Sequence, residues 1–240
     1  MMVKRRITAM VPARTGSTRL KMKNLALIKG RPLIYYAIKA ARDSGIFSNI
    51  VVNAEDAIFS KIAERYGVDF YKRPDCLVKP NTKTDIVVYD FLKKNPCDIV
   101  AWVSPIAPLQ DGEEVKKIVQ YFIKEKLDTL MTVKNEKVHS VYKNKPINFR
   151  MNEIFAQTQD IIPVQRFVYS VMMWRSVTFM KHFDRKGHAL LSGKIGFYPV
   201  SSFSSIIVKK KEDLMLVDYI ARAMAGNKNY TVKYDRIIKK

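Results

Sequence analysis

A chain of 240 residues with 48% hydrophobic side chains can bury a sizeable core, and 43 lysines and arginines against 22 aspartates and glutamates leave it with a formal charge of +21. No run approaches the ~20 consecutive apolar residues of a membrane helix, and Cys76 and Cys97 have no partners at metal-ligand spacing, which argues against a membrane span, a disulfide scaffold and a zinc module. Lys4-Arg5-Arg6 runs into only five apolar or neutral residues, so no secretory leader is expected and a reducing cytoplasm is the expected compartment. The cations are spread over nearly every segment and concentrate only at Lys4-Arg5-Arg6, at Lys209-Lys210-Lys211 and in the tail from Lys228 to Lys240. There is no helix-turn-helix pattern and no aromatic-rich recognition motif. Attraction of small anionic substrates is therefore favoured over a nucleic-acid or anionic-polymer partner.

In chain order, Arg6-Ile7-Thr8-Ala9-Met10-Val11 predicts a strand that Pro12 stops. The loop that follows carries Arg14, Arg19, Lys21 and Lys23 within ten residues, and Gly16 permits backbone to come close to an anion. That is the composition of a phosphate-cradling loop, with a solvated basic connection as the plain alternative. Pro32 and Gly45 bracket a helix bearing Leu33, Ile34, Ala37, Ile38, Ala40 and Ala41, and residues 49–53 read as the next strand. Ile58, Phe59, Ile62, Ala63 and Tyr66 form a helical stripe ended by Gly67, followed by a short strand at residues 68–71 and a turn at Arg73-Pro74. A helix around Val87, Val88, Phe91 and Leu92 starts near Thr82 or Thr84. Ile99 to Val103 is apolar throughout, as expected of a strand covered on both faces, and Asp111 with Glu114 forms a capping-box-like helix start. Leu130 to Val133 returns to the sheet. From about Lys134 to His182 the alternation stops, and aromatic, methionine and polar residues mix. Strands are expected near residues 195–200 and 205–208, then a helix bearing Leu214, Val217, Ile220, Ala221 and Met224 that stops at Gly226. The repetition predicts an α/β fold with a mostly parallel sheet between helices and a ligand site at the C-terminal strand ends.

The run Pro12-Ala13-Arg14-Thr15-Gly16-Ser17-Thr18-Arg19, a short spacer and Lys23-Asn24 resembles the signature loop of the cytidylyltransferases that activate acidic sugars, those making CMP-sialic acid and CMP-ketodeoxyoctonate. Gly16 to Leu20 leans toward the ketodeoxyoctonate version, and Lys23-Asn24-Leu25 toward the sialate version. Gly30-Arg31-Pro32-Leu33-Ile34, Asp43-Ser44-Gly45, Tyr71-Lys72-Arg73-Pro74, Ser104 to Leu109 and Glu212-Asp213-Leu214 keep the family's order. The resemblance implies one nucleotidyltransferase-like domain over residues 1–240, a three-layer Rossmann-like sheet of the nucleotide-diphospho-sugar transferase kind. It also implies an insert at about residues 135–182 that joins a second subunit, hence a homodimer. The monomer-level alternative is that the aromatics of that stretch complete the core.

The implied reaction is attack by a sugar hydroxyl on the α-phosphate of CTP with release of pyrophosphate, promoted by alignment and by cations. Matched by position, Arg14 and Lys23 would carry catalysis. Ala13, Gly16, Ser17, Thr18, Arg19, Asn24, Arg73, Thr84 and Ser104 would complete the nucleotide site, and Arg166 would reach the sugar. Arg73 capping a surface turn and Ser104 ending a strand are the bland alternatives.

Several family positions differ. The two aspartates that bind magnesium are here Ile207 and Lys209, and Lys209-Lys210-Lys211 makes that corner basic. Ile106-Ala107 stands for a Thr-Ser pair, Asn53-Ala54-Glu55 for Ser-Thr-Asp, and Val168-Tyr169 for Asn-Gly. Magnesium is expected from the family but its ligands are absent, so Lys209 or Lys210 either supplies a cation beside the phosphates or is a hydrated helix start. An active cytidylyltransferase is the first expectation and a degenerate nucleotide-binding or partner-binding member the second. A nucleic-acid binder is the third.

Overall fold

The computed structural model describes residues 5–79, 81–226, 231–235 and 237. Most of the expected basic tail therefore lies outside the described residues. A seven-stranded sheet runs through the molecule. Its members are β1 (Ile7–Pro12), β4 (Asn49–Ala54), β5 (Asp69–Lys72), β6 (Ile99–Val103), β7 (Thr129–Glu136), β10 (Val164–Arg175) and β11 (Ile195–Pro199), in the order β11-β7-β10-β6-β1-β4-β5. All neighbours pair in parallel except at β10, which runs antiparallel to both β6 and β7. Two short hairpins, β2 (Leu27–Ile28) with β3 (Arg31–Pro32) and β8 (Val141–Tyr142) with β9 (Lys145–Pro146), stand apart from it.

Strands buried on both faces read as near-continuous apolar runs, which β6 supplies throughout and β1 supplies but for the buried Thr8. One face is covered by α1 (Leu33–Asp43), α2 (Ile58–Arg65) and α4 (Gly112–Lys124), with Ile34, Phe59, Ile118 and Phe122 packed on Ala9, Val11 and Ala101. The other carries α3 (Thr84–Lys94) and α5 (Ser176–Lys186), which place Val88, Phe91 and Phe179 against Met10, Val100 and Trp174. A smaller cluster of Ile28, Leu33, Val208 and Val217 seats α6 (Lys211–Gly226) over the first hairpin. Asp111 caps α4 as its spacing predicts, accepting from Glu114 N at 2.8 Å. Glu114 does not reach back; its carboxylate takes Ser201 N at 2.6 Å instead.

Two expectations are corrected. The irregular stretch is shorter than residues 135–182, because β7 continues to Glu136, and β10 and α5 are core elements with Trp174 fully buried. Only residues 137–163 leave the sheet, around the β8–β9 hairpin. Asn148 closes this excursion, donating to Val138 O and Ile162 O, each at 2.9 Å. Residues 205–208 form no strand. Ser201 Oγ takes Ser204 N at 3.2 Å and Ser201 O takes Ser205 N at 3.0 Å, so serine-rich turns hold the backbone that a strand would need.

Close approach of α4 to the end of α1 depends on Gly112, where an added Cβ would stand 2.6 Å from Asp43 Cβ and 2.7 Å from backbone. Ala is normally better than Gly in a helix by ~1 kcal/mol. Here Gly112→Ala should instead destabilise by ~1–3 kcal/mol, the usual range for overpacking. Urea unfolding checks this, and an unchanged or raised midpoint contradicts the packing described.

Candidate active site

The chain leaves β1 toward β4 on one side and reaches β6 on the other, so the connections diverge between β1 and β6. A crevice opens at that point at the C-terminal strand ends. Its floor is organised by Arg73, the first residue after β5. Its backbone N–H donates to Ala54 O at 2.9 Å, and its guanidinium Nη2 donates to Asn53 O at 2.8 Å and to Ala13 O. One buried cation thereby ties the exits of β4, β5 and β1, and it is no cap of a surface turn. Burial pulls Arg73 below the ordinary arginine value, with the Glu55 carboxylate opposing, yet a guanidinium keeps its charge. Its Nε is buried with no partner among the described residues.

The basic loop is pinned at three places. Glu55 Oε1 accepts from Thr15 N at 2.7 Å and from Thr15 Oγ1 at 2.8 Å. Buried Asn24 donates from Nδ2 to Arg14 O at 3.2 Å, closing the loop on itself. Lys23, in the single helical turn at residues 23–25, donates from Nζ to Val208 O at 3.1 Å, and Val208 N donates to Ile106 O at 2.8 Å. The loop is thus held from β4, from within, and from the segment before α6.

Between loop, β6 and α3 lies a cleft of about 290 Å³. The sequence-derived residues Ala13, Arg14, Ser17, Lys23, Asn24, Arg73, Thr84 and Ser104 all line it. Trp102, Ile106, Val78, Thr82 and a further cation, Lys79, are also on its walls. Trp102 was hidden by its place inside an apolar strand. Glu55 was seen only as a family difference; its signal is a carboxylate one residue past a buried strand, opposite a loop with free N–H groups. No described lining residue is a carboxylate or an imidazole. An adjoining hollow of about 40 Å³ shares Arg14, Ser17 and Lys23 with the cleft and adds Thr18, Arg19 and Lys209.

Three candidates fall outside both spaces. Gly16 is exposed, with open space around it and no left-handed backbone, so neither crowding nor conformation demands glycine there. Arg166 pairs with Glu136 at 2.9 Å on the β10–β7 ladder, and exposed Lys210 pairs with Glu212 at 3.7 Å. Nearby, β10 is bulged between Phe167 and Met172, and Tyr169 has φ 59°, a conformation that suits glycine and is rare for a bulky side chain. Tyr169 thus holds a backbone conformation that a glycine would adopt without strain.

Magnesium does not fit the residues present. Ile207 packs at the edge of the core and Lys209 is a cation. Asp213 Oδ2 already takes two backbone N–H groups, and no cluster of three His, Cys, Asp or Glu exists among the described residues.

Residues 8–188 match the family model described as cytidylyltransferase. The chain belongs to that family. The matched span runs from β1 to α5 and stops short of the Lys209 corner. The family resemblance extends to an N-acylneuraminate cytidylyltransferase of Escherichia coli O18:K1:H7, 30% identical over 122 residues that make up 49% of this chain and 28% of that one. A 3-deoxy-manno-octulosonate cytidylyltransferase of Bdellovibrio bacteriovorus is 30% identical over 118 residues, 49% of this chain and 46% of that one. The alignments thus span less than half of either relative's length. A solved structure of CMP:2-keto-3-deoxy-manno-octonic acid synthetase complexed with CTP superposes with TM-score 0.71 at 13% identity, covering 91% of this chain and 99% of that one, which shows the shared fold.

Burial, followed by the nearby Arg19 and Arg14, holds the Lys23 ammonium below the ordinary lysine value, with Asp213 acting the other way. A bound polyanion favours the charged form and raises that value, so binding takes up protons and weakens as pH rises through the lowered pKa. Calorimetric titration with CTP in two buffers of different ionisation enthalpy should show net proton uptake at alkaline pH that disappears in Lys23→Met. Equal uptake in both proteins removes Lys23 from the site.

Proposed function

We propose that this chain transfers a cytidylyl group from CTP to an acidic sugar, in the cytoplasm. The observation that carries the reading is the cleft at the β1–β6 divergence, whose walls gather Arg14, Lys23 and Arg73 with the hydroxyls of Ser17, Thr84 and Ser104, in a chain of the cytidylyltransferase family. In the step proposed, a sugar hydroxyl oxygen forms a bond to the α-phosphorus while the bond from that phosphorus to the bridging oxygen breaks. The bonding pair leaves with pyrophosphate, and the hydroxyl proton passes to solvent. Arg14 and Lys23 would neutralise charge building on the phosphate oxygens, and Asn24 and Glu55 would hold the loop that presents them.

Relatives named for N-acylneuraminate and for 3-deoxy-manno-octulosonate support a carboxylated sugar as acceptor. A second reading, a nucleotide-binding member without turnover, is favoured by Ile207 and Lys209 at the positions of the family's acidic pair. We further infer a homodimer formed through residues 137–163. Ile154 is 98% exposed, and Val141, Tyr142, Ile147, Phe155 and Ile162 are also exposed on that excursion, more apolar surface than one solvated loop needs. Arg166, at the base of the excursion, would then face the partner's sugar.

Pyrophosphate release measured across the four nucleoside triphosphates and a panel of acidic sugars should require CTP and one sugar class. Arg14→Ala should lower kcat/KM ~10- to 150-fold, the equivalent of ~1.5–3 kcal/mol for a charge-assisted contact. No release with any pair, alongside CTP binding, selects the second reading. In sedimentation, Ile154→Glu should shift a dimer to monomer, and a monomeric parent protein removes the dimer.

A further inference from the structure

The corner without the acidic pair carries charge of the opposite sign. Lys209 joins Arg14, Arg19 and Lys23 on the wall of the 40 Å³ hollow, which Ser17 and Thr18 also line. Four cations converge there, and no carboxylate is on the described wall. The space is several times the ~10–15 Å³ one ordered water needs, so a tetrahedral oxyanion can enter. Converging like charges repel unless an anion lies among them, and the Lys23 ammonium, held below the ordinary lysine value first by burial, is lowered further by Arg19 and Arg14.

The backbone that carries Lys209 is fixed on both sides. Val208 N donates to Ile106 O at 2.8 Å, and Val208 O accepts from Lys23 Nζ at 3.1 Å. The N–H groups of Lys209 and Lys210 both donate to Asp213 Oδ2, at 2.8 and 3.0 Å. Lys210 is turned to Glu212 at the surface, so one lysine of the pair is left for the hollow. Lys209 is exposed and stands where a tail entering from the cleft would cover it.

We propose that Lys209 is a phosphate-contacting residue whose ammonium takes the β,γ end of the bound triphosphate, and then the departing pyrophosphate, so that the protein holds that end with its own cations and without a protein-bound divalent metal. The proposal rests on the cleft being a nucleotide site. One ammonium offers a single charge where a metal offers two, and hydroxyls of Ser17 and Thr18 supply donors that a metal's waters would otherwise provide.

Calorimetry with CTP, inorganic pyrophosphate and CMP, in magnesium and in EDTA, tests it on the parent chain and on Lys209→Met, Lys209→Arg and Lys210→Met. CTP and pyrophosphate should bind the parent chain in EDTA. Lys209→Met should weaken both by about tenfold or more, as expected for loss of a charge-assisted contact, while CMP changes by less than about twofold. Lys209→Arg should retain binding, and Lys210→Met should resemble the parent. Parent-like binding by Lys209→Met overturns the proposal, as does CTP binding that needs magnesium or an equal loss for CMP. If the parent chain binds neither CTP nor pyrophosphate under any condition, the nucleotide-site reading fails first and the proposal with it.

Discussion

The buried guanidinium of Arg73 is the constraint on which the rest of the site depends. Strand carbonyls at the end of a sheet must find donors, and at a divergence point the neighbouring strand that would supply them is absent. Arg73 answers Asn53 O and Ala13 O with one side chain and Ala54 O with its own N–H. Replacing its side chain would take that donor from Ala13 O, at a cost of ~1–3 kcal/mol, while Asn53 O would keep Ala13 N at 3.0 Å and Ala54 O the residue 73 backbone N–H. With those ends fixed, Ala13 enters the basic loop in one direction, and Glu55, Asn24 and Val208 fix the remainder.

The reversed strand β10 shapes the other half of the cleft. Ser170 O accepts from Ser104 N at 2.8 Å, so the first residue after β6 is held by the bulged part of β10. That bulge keeps Tyr169 in the left-handed region, a strained arrangement for a bulky residue beside a site. The stretch from β7 to β10 therefore does two things: its ends are core strands, and its middle leaves the sheet with exposed apolar side chains.

Much of the architecture was legible in the chain. Ile99 to Val103 reads as a doubly covered strand because every position is apolar, and Asp111 reads as a cap because Glu114 lies three residues on. The loop residues Arg14, Ser17, Lys23 and Asn24 are legible through the resemblance of the run from Pro12 to Asn24 to the family's signature loop, since the basic run alone leaves a solvated connection open. What stayed hidden depended on contacts far apart in sequence. Neither periodicity nor spacing reveals that Lys23 reaches Val208, that Glu55 reaches Thr15, or that β10 enters the sheet reversed. The aromatic mixture around Phe167 and Trp174 hid a strand because its two faces are both apolar and its bulge breaks the period of two. Residues 205–208 misled in the opposite sense, since this short apolar run bonds back onto turn carbonyls, Ser205 N to Ser201 O and Ile206 N to Phe203 O, instead of onto a neighbouring strand.

Charge links these features, since a chain at +21 places four of its cations around one small hollow and uses a fifth, buried, to hold the cleft open. The central claim is that this cleft, braced by Arg73, is where the nucleotide lies. A crystal structure grown with CTP tests it most directly. The account predicts the cytidine against Arg73, Thr84 and Ser104 in the β1–β6 crevice, with the triphosphate running past Arg14 and Lys23. Saturating CTP that leaves the crevice unfilled, or that binds elsewhere on the basic surface, contradicts it.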